Sequence, residues 1–304
     1  MTSILTADLR KRFSDQVQEN VLLAPYTSAR IGGPADILVS ARSAEELASA
    51  AQACWDANLP FTLLGGGSNL LISDKGIRGV VILNKAKATE FRPGLKPTVW
   101  AESGSVFSNL AHRAAAQGFS GLEWAATVPG TIGGAVYGNA GAFGGETAHD
   151  LLRAEVLTEA GRTWWPVEKL EYGYRTSLLK HATGKAIILS AEFRLTNGDS
   201  ETIKATISQL TLRRKSTQPP GASMGSMFKN PPGDFSGRLI EAAGLKGMRI
   251  GNAEISSIHG NFFVNHGETL AEDVKLLIEL AQKTVKEQFG IDLELEVEMI
   301  GEWK

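Results

Sequence analysis

The chain has 304 residues, enough to bury a large core in two or three domains, and its 31 basic against 33 acidic residues leave a formal net charge of −2. That balance supplies no field for nucleic acid or an anionic membrane surface, and no apolar run approaches the roughly 20 residues that span a bilayer. Cys54 is the only cysteine, which excludes intrachain disulfides and cysteine-cluster metal sites. The first residues, MTSILTADLRKRFSDQ, hold no signal-peptide core, so the expected compartment is the cytoplasm.

Residues 3–18 have the spacing of a short amphipathic helix, and 1–22 is expected to stand as an N-terminal helix. The turn-rich segment 27–35 leads into a strand at 36–40. Ser43-Ala44-Glu45-Glu46 is a capping box opening a helix to about Asn58, with Leu47, Ala50, Ala51 and Cys54 on its apolar face. Cys54 therefore reads as core, not as a nucleophile. A strand at 61–64 feeds LGGGSNLL, residues 64–71, and 80–83 is a further strand, giving a β-α-β-loop-β unit. Three glycines followed by Ser68 and Asn69 offer N–H donors and small polar side chains to an anion. The commonest nucleotide fingerprints are not met: no Gly-Lys-Ser/Thr follows, and Leu70 takes the sixth place of G-x-G-x-x-G.

A strand at 98–102 and a helix at 105–117 precede TVPGTIGGAVYGNAGAFGG, residues 127–145. This stretch holds seven glycines, where whole-chain usage of 33 in 304 predicts about two. Such density serves either backbone at positive φ and close approach to a phosphate-bearing cofactor, or tight packing corners in a β-rich domain. Segments 154–158 and 163–167 read as a hairpin around Glu159-Ala160-Gly161-Arg162, and 185–195 as a long apolar strand. Strands alternating with glycine turns point to an α+β domain and not a doubly wound sheet.

A helix at 200–214 and a hinge at 216–220 lead to a C-terminal unit. It contains a helix near 236–243, strands at 253–255 and 261–264, and a helix opened by the capping box Thr269-Leu270-Ala271-Glu272. In 292–300, Leu293, Leu295, Val297 and Met299 alternate with Glu294, Glu296 and Glu298, which predicts a terminal strand with one core face and one face of three carboxylates.

The five histidines are scattered and make no ligand spacing, so no metal site is expected. Gly221-Ala222-Ser223-Met224-Gly225 matches the G-x-S-x-G nucleophile elbow, but two prolines precede it and no helical pattern follows. A serine hydrolase acting through Ser223 is therefore a minor alternative. Ser226 has Lys229 and Asn230 close in sequence. Arg175, in Tyr174-Arg175, can either cap carbonyls or hold a carboxylate through its planar fork.

Nine stretches occur in order: Arg30–Ala35, Leu64–Leu71, Val128–Val136, Asn139–Ala142, Tyr174-Arg175, Gly225–Pro231, Ala243–Gly247, His259–Phe262 and Glu296-Val297. From about residue 24 onward the chain resembles the UDP-N-acetylenolpyruvoylglucosamine reductases (UDP-N-acetylmuramate dehydrogenases) of bacterial cell-wall synthesis, of the compact type. The resemblance implies an α+β architecture: an FAD-binding fold like that of vanillyl-alcohol oxidase over 23–200, in two α/β subdomains at about 23–90 and 91–200. Helix 200–216 would join it to a substrate-binding α+β domain at 217–304. It further implies non-covalent FAD, cradled by Gly65, Gly66, Gly67, Ser68, Asn69, Pro129, Gly130, Gly133, Gly134 and Asn139, with NADPH as reductant. Gly67 and Gly133 are the positions where a side chain is expected to intrude on the cofactor or to need positive φ. The implied substrate is a sugar nucleotide, touched by Tyr174, Lys229 and Asn230. Arg175 and Glu296 would flank its carboxylate and stabilise an enolate, and Ser226 would protonate the α-carbon with Lys229 as the nearest cation. No nucleic acid, membrane or metal partner is implied, and a monomer is expected. A flavin oxidase and a non-catalytic flavin- or nucleotide-binding module are the other readings.

Overall fold

The fold is taken from a computed structural model of the chain, which describes residues 9–181 and 186–303. Two compact units emerge. The first comprises Met1–Gln18, Ile37–Gly66 and Val80–Arg213; the second comprises Glu19–Asp36, Gly67–Gly79 and Arg214–Lys304. The second is thus not one continuous block from 217 onward, because two earlier segments belong to it.

A four-stranded sheet has the order Val17–Leu22, Pro34–Ala41, Ile77–Asn84, Phe61–Leu64, and its last pair is parallel. The helix Ala44–Asp56 packs Leu47, Ala50, Ala51 and Cys54 among Ile37, Val39, Val80 and Ile82. Its N-cap is Ser43, whose hydroxyl accepts from the Glu46 amide at 3.2 Å. Cys54 is fully buried, and that burial pushes its thiol up to about 11, which keeps it inert. The N-terminal helix ends earlier than expected: among the described residues α-helical backbone covers 9–13, a 3-10 turn covers Ser14–Gln16, and Val17–Leu22 is a strand. Hydrogen bonding in the sheet overrides the local helical spacing there. Residues 3–8 of that expectation, and Lys185 of the long strand, lie outside the described residues.

A five-stranded antiparallel sheet follows in the order Gly161–Pro166, Leu151–Thr158, Ala186–Arg194, Thr98–Glu102, Thr89–Arg92. The expected hairpin is its first pair. The helix Phe107–Ala116 and the glycine-rich helix Ile132–Gly138 share its core, where Phe107 meets Trp124 edge-on at 5.4 Å and Phe193 at 5.3 Å.

Two buried carboxyl groups fasten this unit. Glu102 accepts from the amides of Ala44 at 2.8 Å and Ala88 at 2.7 Å, so it also serves the N-terminus of the helix Ala44–Asp56. Glu102→Ala leaves the buried Ala44 amide and the part-buried Ala88 amide without their acceptor and is expected to cost about 1–3 kcal/mol, read as a lower urea midpoint with unchanged slope. Glu192 lies between Arg153 at 2.7 Å and Arg92 at 3.0 Å, and Thr98 donates to it at 3.0 Å. Burial opposes its ionised form, but the bonds from Arg153 and Thr98 and the charges of Arg153 and Arg92 outweigh it, so its pKa is lowered. A lowered folded pKa means stability that is complete above the unfolded carboxyl value of about 4.3 and is lost as pH falls through the folded one. Arg153→Met should therefore lower stability at neutral pH and flatten its decline below about pH 5 in a series of denaturation curves.

In the second unit an antiparallel sheet has the order Ala222–Ser226, Phe262–Asn265, Ala253–Ile255, Arg249–Ile250. It packs with the helices Ser236–Ala242 and Ala271–Phe289 around Met227, Phe228, Leu239, Phe263 and Leu277. Leu70–Ile72 pairs in parallel with Glu298–Ile300, and Asn265 donates to the carbonyl of Ala29 at 2.7 Å, which draws both early segments into this unit.

The capping box at 269–272 does not form. Asp74 instead accepts from the amides of Ala271 at 2.8 Å and Glu272 at 3.0 Å, while the Thr269 hydroxyl is buried without a partner. A carboxylate at a helix N-terminus is the stronger cap because it answers the orphan donors and the helix dipole together. The terminal strand is also shorter than expected, covering only Glu298–Ile300. The amides of Glu296 and Val297 both converge on the carbonyl of Met227, at 2.9 and 3.4 Å, which breaks the two-residue period before it.

Candidate active site

The two glycine stretches meet in the first unit. A β-carbon on Gly66 would lie 3.0 Å from the Cα of Gly130, and one on Gly65 would lie 2.7 Å from Oγ1 of Thr131. Thr131 is the N-cap of the helix Ile132–Gly138, its hydroxyl accepting from the Gly134 amide. The backbones approach this closely only because both loops lack side chains at the contact. Among the described residues, the amides of Gly65 and Gly66 donate to no other group. Gly130 holds φ +104°, the left-handed half of the map, and Pro129 before it is exposed.

Other residues of the expected cradle have different tasks. The amides of Ile132 and Gly133 donate to the carbonyls of Ser105 at 2.9 Å and Ser103 at 2.7 Å, so this helix start is largely satisfied from within. Gly133 lacks a side chain because a β-carbon would come within 3.1 Å of Ser103, and its φ is not positive. In the second unit Gly67 does hold φ +57°, but a β-carbon there would strike the carbonyl oxygen of Tyr26 at 2.4 Å. Both glycines are thus demanded by the chain's own packing, so Gly67→Val cannot be expected to leave its surroundings intact. Ser68 follows in the same loop. Asn69 turns away to the C-terminal segment: Nδ2 donates to the carbonyl of Glu296 at 2.9 Å, and its own carbonyl accepts from the Glu298 amide at 3.0 Å.

A buried, unpartnered hydroxyl tests whether FAD fits here. Oγ1 of Thr127, three residues before Gly130, has no hydrogen-bond partner. An unsatisfied buried donor is costly in the free protein, and a cofactor with ring nitrogens, carbonyls and phosphates is the kind of group that answers it. With the glycine-lined contact and the two open amides, the donor set fits.

Arg175 and Tyr174 are brought to the same unit's glycine stretch. Gly173 and Thr176 close a tight turn by mutual backbone bonds of 3.2 and 3.3 Å, and Arg175 sits within it at φ +57°. Its Nη2 donates to the carbonyl of Gly141 at 2.8 Å, and its guanidinium lies 5.5 Å from the centre of the exposed Tyr174 ring. Asn139 is almost wholly buried and belongs to this turn's support, described below.

In the second unit Ser226 and Glu296 share one backbone frame. Ser226 ends the strand Ala222–Ser226; the next carbonyl, that of Met227, accepts from Glu296. Both side chains are half-buried. Asn261 locks this frame, its Oδ1 accepting from the Phe228 amide at 2.9 Å and its Nδ2 donating to the Phe228 carbonyl at 2.8 Å. The His259–Phe262 motif signalled this residue, but its role emerges only from the pairing.

Of the three carboxylates only Glu294 turns to water, since Glu298 is half-buried like Glu296. Glu294 is exposed and forms an ion pair of 2.5 Å with Lys229, while Glu296 is partly covered. Lys229 therefore faces Glu294 and is not directed by any observed bond to Ser226. Asn230 caps the helix Ser236–Ala242, accepting from the Ser236 amide at 3.1 Å. Ser223 sits within a strand, opposite Val264, and no helix begins before Ser236; the nucleophile elbow is not formed. No cluster able to hold a metal occurs among the described residues, and none of their helices is long and apolar enough to cross a membrane.

Comparison with known proteins identifies the family of the chain. Residues 35–165 match the FAD binding domain, and residues 216–300 match the C-terminal domain of UDP-N-acetylenolpyruvoylglucosamine reductase. The UDP-N-acetylenolpyruvoylglucosamine reductase of Chloroflexus aggregans is 44% identical over 289 residues, covering 93% of this chain and 97% of the relative. That of Rubrobacter xylanophilus is 44% identical over 280 residues, covering 92% and 94%. The crystal structure of the Thermus caldophilus reductase superposes with a TM-score of 0.78 at 38% identity, covering 92% of this chain and 97% of that one. The chain belongs to the UDP-N-acetylenolpyruvoylglucosamine reductase family.

Proposed function

We propose that this protein is a cytoplasmic, monomeric enzyme that uses NADPH and non-covalently bound FAD to reduce UDP-N-acetylglucosamine enolpyruvate to UDP-N-acetylmuramate, a step of peptidoglycan precursor synthesis. Beyond kinship, the observation that supports it best is the bond from the Glu296 amide to the carbonyl next to Ser226. It puts a carboxyl group and a hydroxyl, far apart in sequence, on one rigid frame.

When bound, FAD supplies hydride transfer from NADPH to the substrate's β-carbon. The planar fork of Arg175 holds the substrate carboxylate. Glu296 stabilises the charge that develops on the enolate, and the Ser226 hydroxyl delivers the proton to the α-carbon. Tyr174 lines the substrate, and Lys229 and Asn230 meet its diphosphate, for which the phosphate competes with Glu294. Gly65, Gly66, Pro129 and Gly130 border the cofactor, and no histidine or cysteine in those loops offers a covalent link.

The test is product identity. Purified protein given NADPH and the enolpyruvyl sugar nucleotide should form UDP-N-acetylmuramate in equal amount to the NADPH consumed, followed by mass spectrometry. NADPH consumption with hydrogen peroxide formed and the sugar nucleotide unchanged would instead identify an oxidase.

A further inference from the structure

Asn139 stands in the glycine stretch, where the sequence suggests a cofactor contact, yet its amide is engaged entirely by the protein. Its Oδ1 accepts from the Ala148 amide at 3.0 Å; its Nδ2 donates to the carbonyl of Gly173 at 3.0 Å and to Glu146 at 3.3 Å. An amide has two donors and one carbonyl to offer, so little capacity is left for a ligand. The residue is 2% exposed and holds φ +47°, a conformation that asparagine tolerates better than most.

The bond to Gly173 matters because Gly173 opens the tight turn that carries Arg175 in a left-handed conformation. Two residues after Asn139, the carbonyl of Gly141 accepts from Nη2 of Arg175 at 2.8 Å. Residues 139 and 141 therefore hold the turn at its base and the guanidinium at its head. The helix before them completes the attachment: Tyr172 donates to the carbonyl of Val136 at 2.7 Å and Ser177 to that of Tyr137 at 2.6 Å. A turn with a non-glycine residue at positive φ persists only where its surroundings over-determine it, and three bonds to one short helix and its C-cap with a fourth to Gly141 do so.

We infer that Asn139 is a positioning residue for Arg175, fixing the turn from which the guanidinium meets the substrate carboxylate, and that it touches neither cofactor nor substrate. This rests on the reading of Arg175 given above. Asn139→Asp keeps size, backbone preference and the acceptor for Ala148, but sets a carboxylate oxygen against the Gly173 carbonyl. The turn loses its anchor, and a displacement of about 1 Å in a substrate-holding group costs about 10²-fold in rate.

The experiment measures four quantities on FAD-loaded wild type, Asn139→Asp, Tyr172→Phe and Arg175→Met. They are FAD affinity by fluorescence, flavin reduction by NADPH, flavin reoxidation by the enolpyruvyl substrate, and binding of UDP-N-acetylglucosamine, which lacks the carboxylate. Asn139→Asp should bind FAD and UDP-N-acetylglucosamine within about twofold of wild type and be reduced normally, while reoxidation falls about 10²-fold. Added to Arg175→Met it should cause no further loss, because both act through one group. If Asn139→Asp fails to fold, Tyr172→Phe, which removes one hydroxyl, decides the matter by a smaller loss confined to reoxidation. A fall in FAD affinity matching the fall in reoxidation would overturn the inference. So would unchanged reoxidation in Asn139→Asp when Arg175→Met is slowed. If Arg175→Met itself reoxidises normally, the reading of Arg175 is what fails.

Discussion

Glu296→Gln should leave flavin reduction by NADPH near wild type and slow flavin reoxidation by the enolpyruvyl substrate about 10²–10³-fold. Only the second half-reaction generates an enolate, so only it needs a stabiliser of developing charge. The amide side chain keeps the size of the carboxyl, and the residue's backbone is held independently by Met227 and Asn69, so the frame should survive. Glu294→Gln and Glu298→Gln serve as neighbours on the same segment. Glu294 is solvent-facing and engaged with Lys229, and Glu298 begins the final strand, so each should change reoxidation by no more than a few-fold. Rapid mixing of each half-reaction separates these outcomes. Equal behaviour of the three variants, or equal slowing of both half-reactions by Glu296→Gln, would remove Glu296 from its assigned role.

Gly66→Val should give a folded but colourless protein, with FAD affinity lowered by at least about 10²-fold, the loss of roughly 3 kcal/mol of binding. The β-carbon alone would stand 3.0 Å from the Cα of Gly130, and the two branches beyond it need space that the facing loop occupies. That neighbour is backbone and cannot rotate aside, so the two loops must part. The contact lies outside the buried cores, which is why secondary structure should persist by circular dichroism while flavin fluorescence titration shows the loss. Wild-type FAD affinity in this variant would mean that the loop contact does not shape the cofactor site.

Much of this was legible in the sequence because it is local. Short apolar segments placed the strands at 61–64, 98–102 and 154–158, and Ser43 marked its helix start, since each depends on residues within a few positions. Glycine density marked both loops that meet at Gly66 and Gly130. The parts that escaped depend on partners far along the chain. Nothing near Ala271 reveals that Asp74, 197 positions away, supplies the cap. Alternation at 292–300 describes side chains, and is silent on two amides converging on Met227. Asn139 and Gly133 stand among cofactor-like glycines, yet one braces a turn and the other makes room for Ser103; composition cannot separate the two uses of a small or polar residue. Likewise, the strand pairing of Leu70–Ile72 with Glu298–Ile300 assembles the second unit from three segments, where chain order suggested one.

The most direct test of the central claim is a visible absorption record of the purified protein without oxygen. The protein should be yellow, lose its flavin absorption when NADPH is added, and regain it in proportion to enolpyruvyl sugar nucleotide supplied afterwards. A flavin that NADPH does not bleach, or one that regains its colour with oxygen and not with that substrate, would contradict the account.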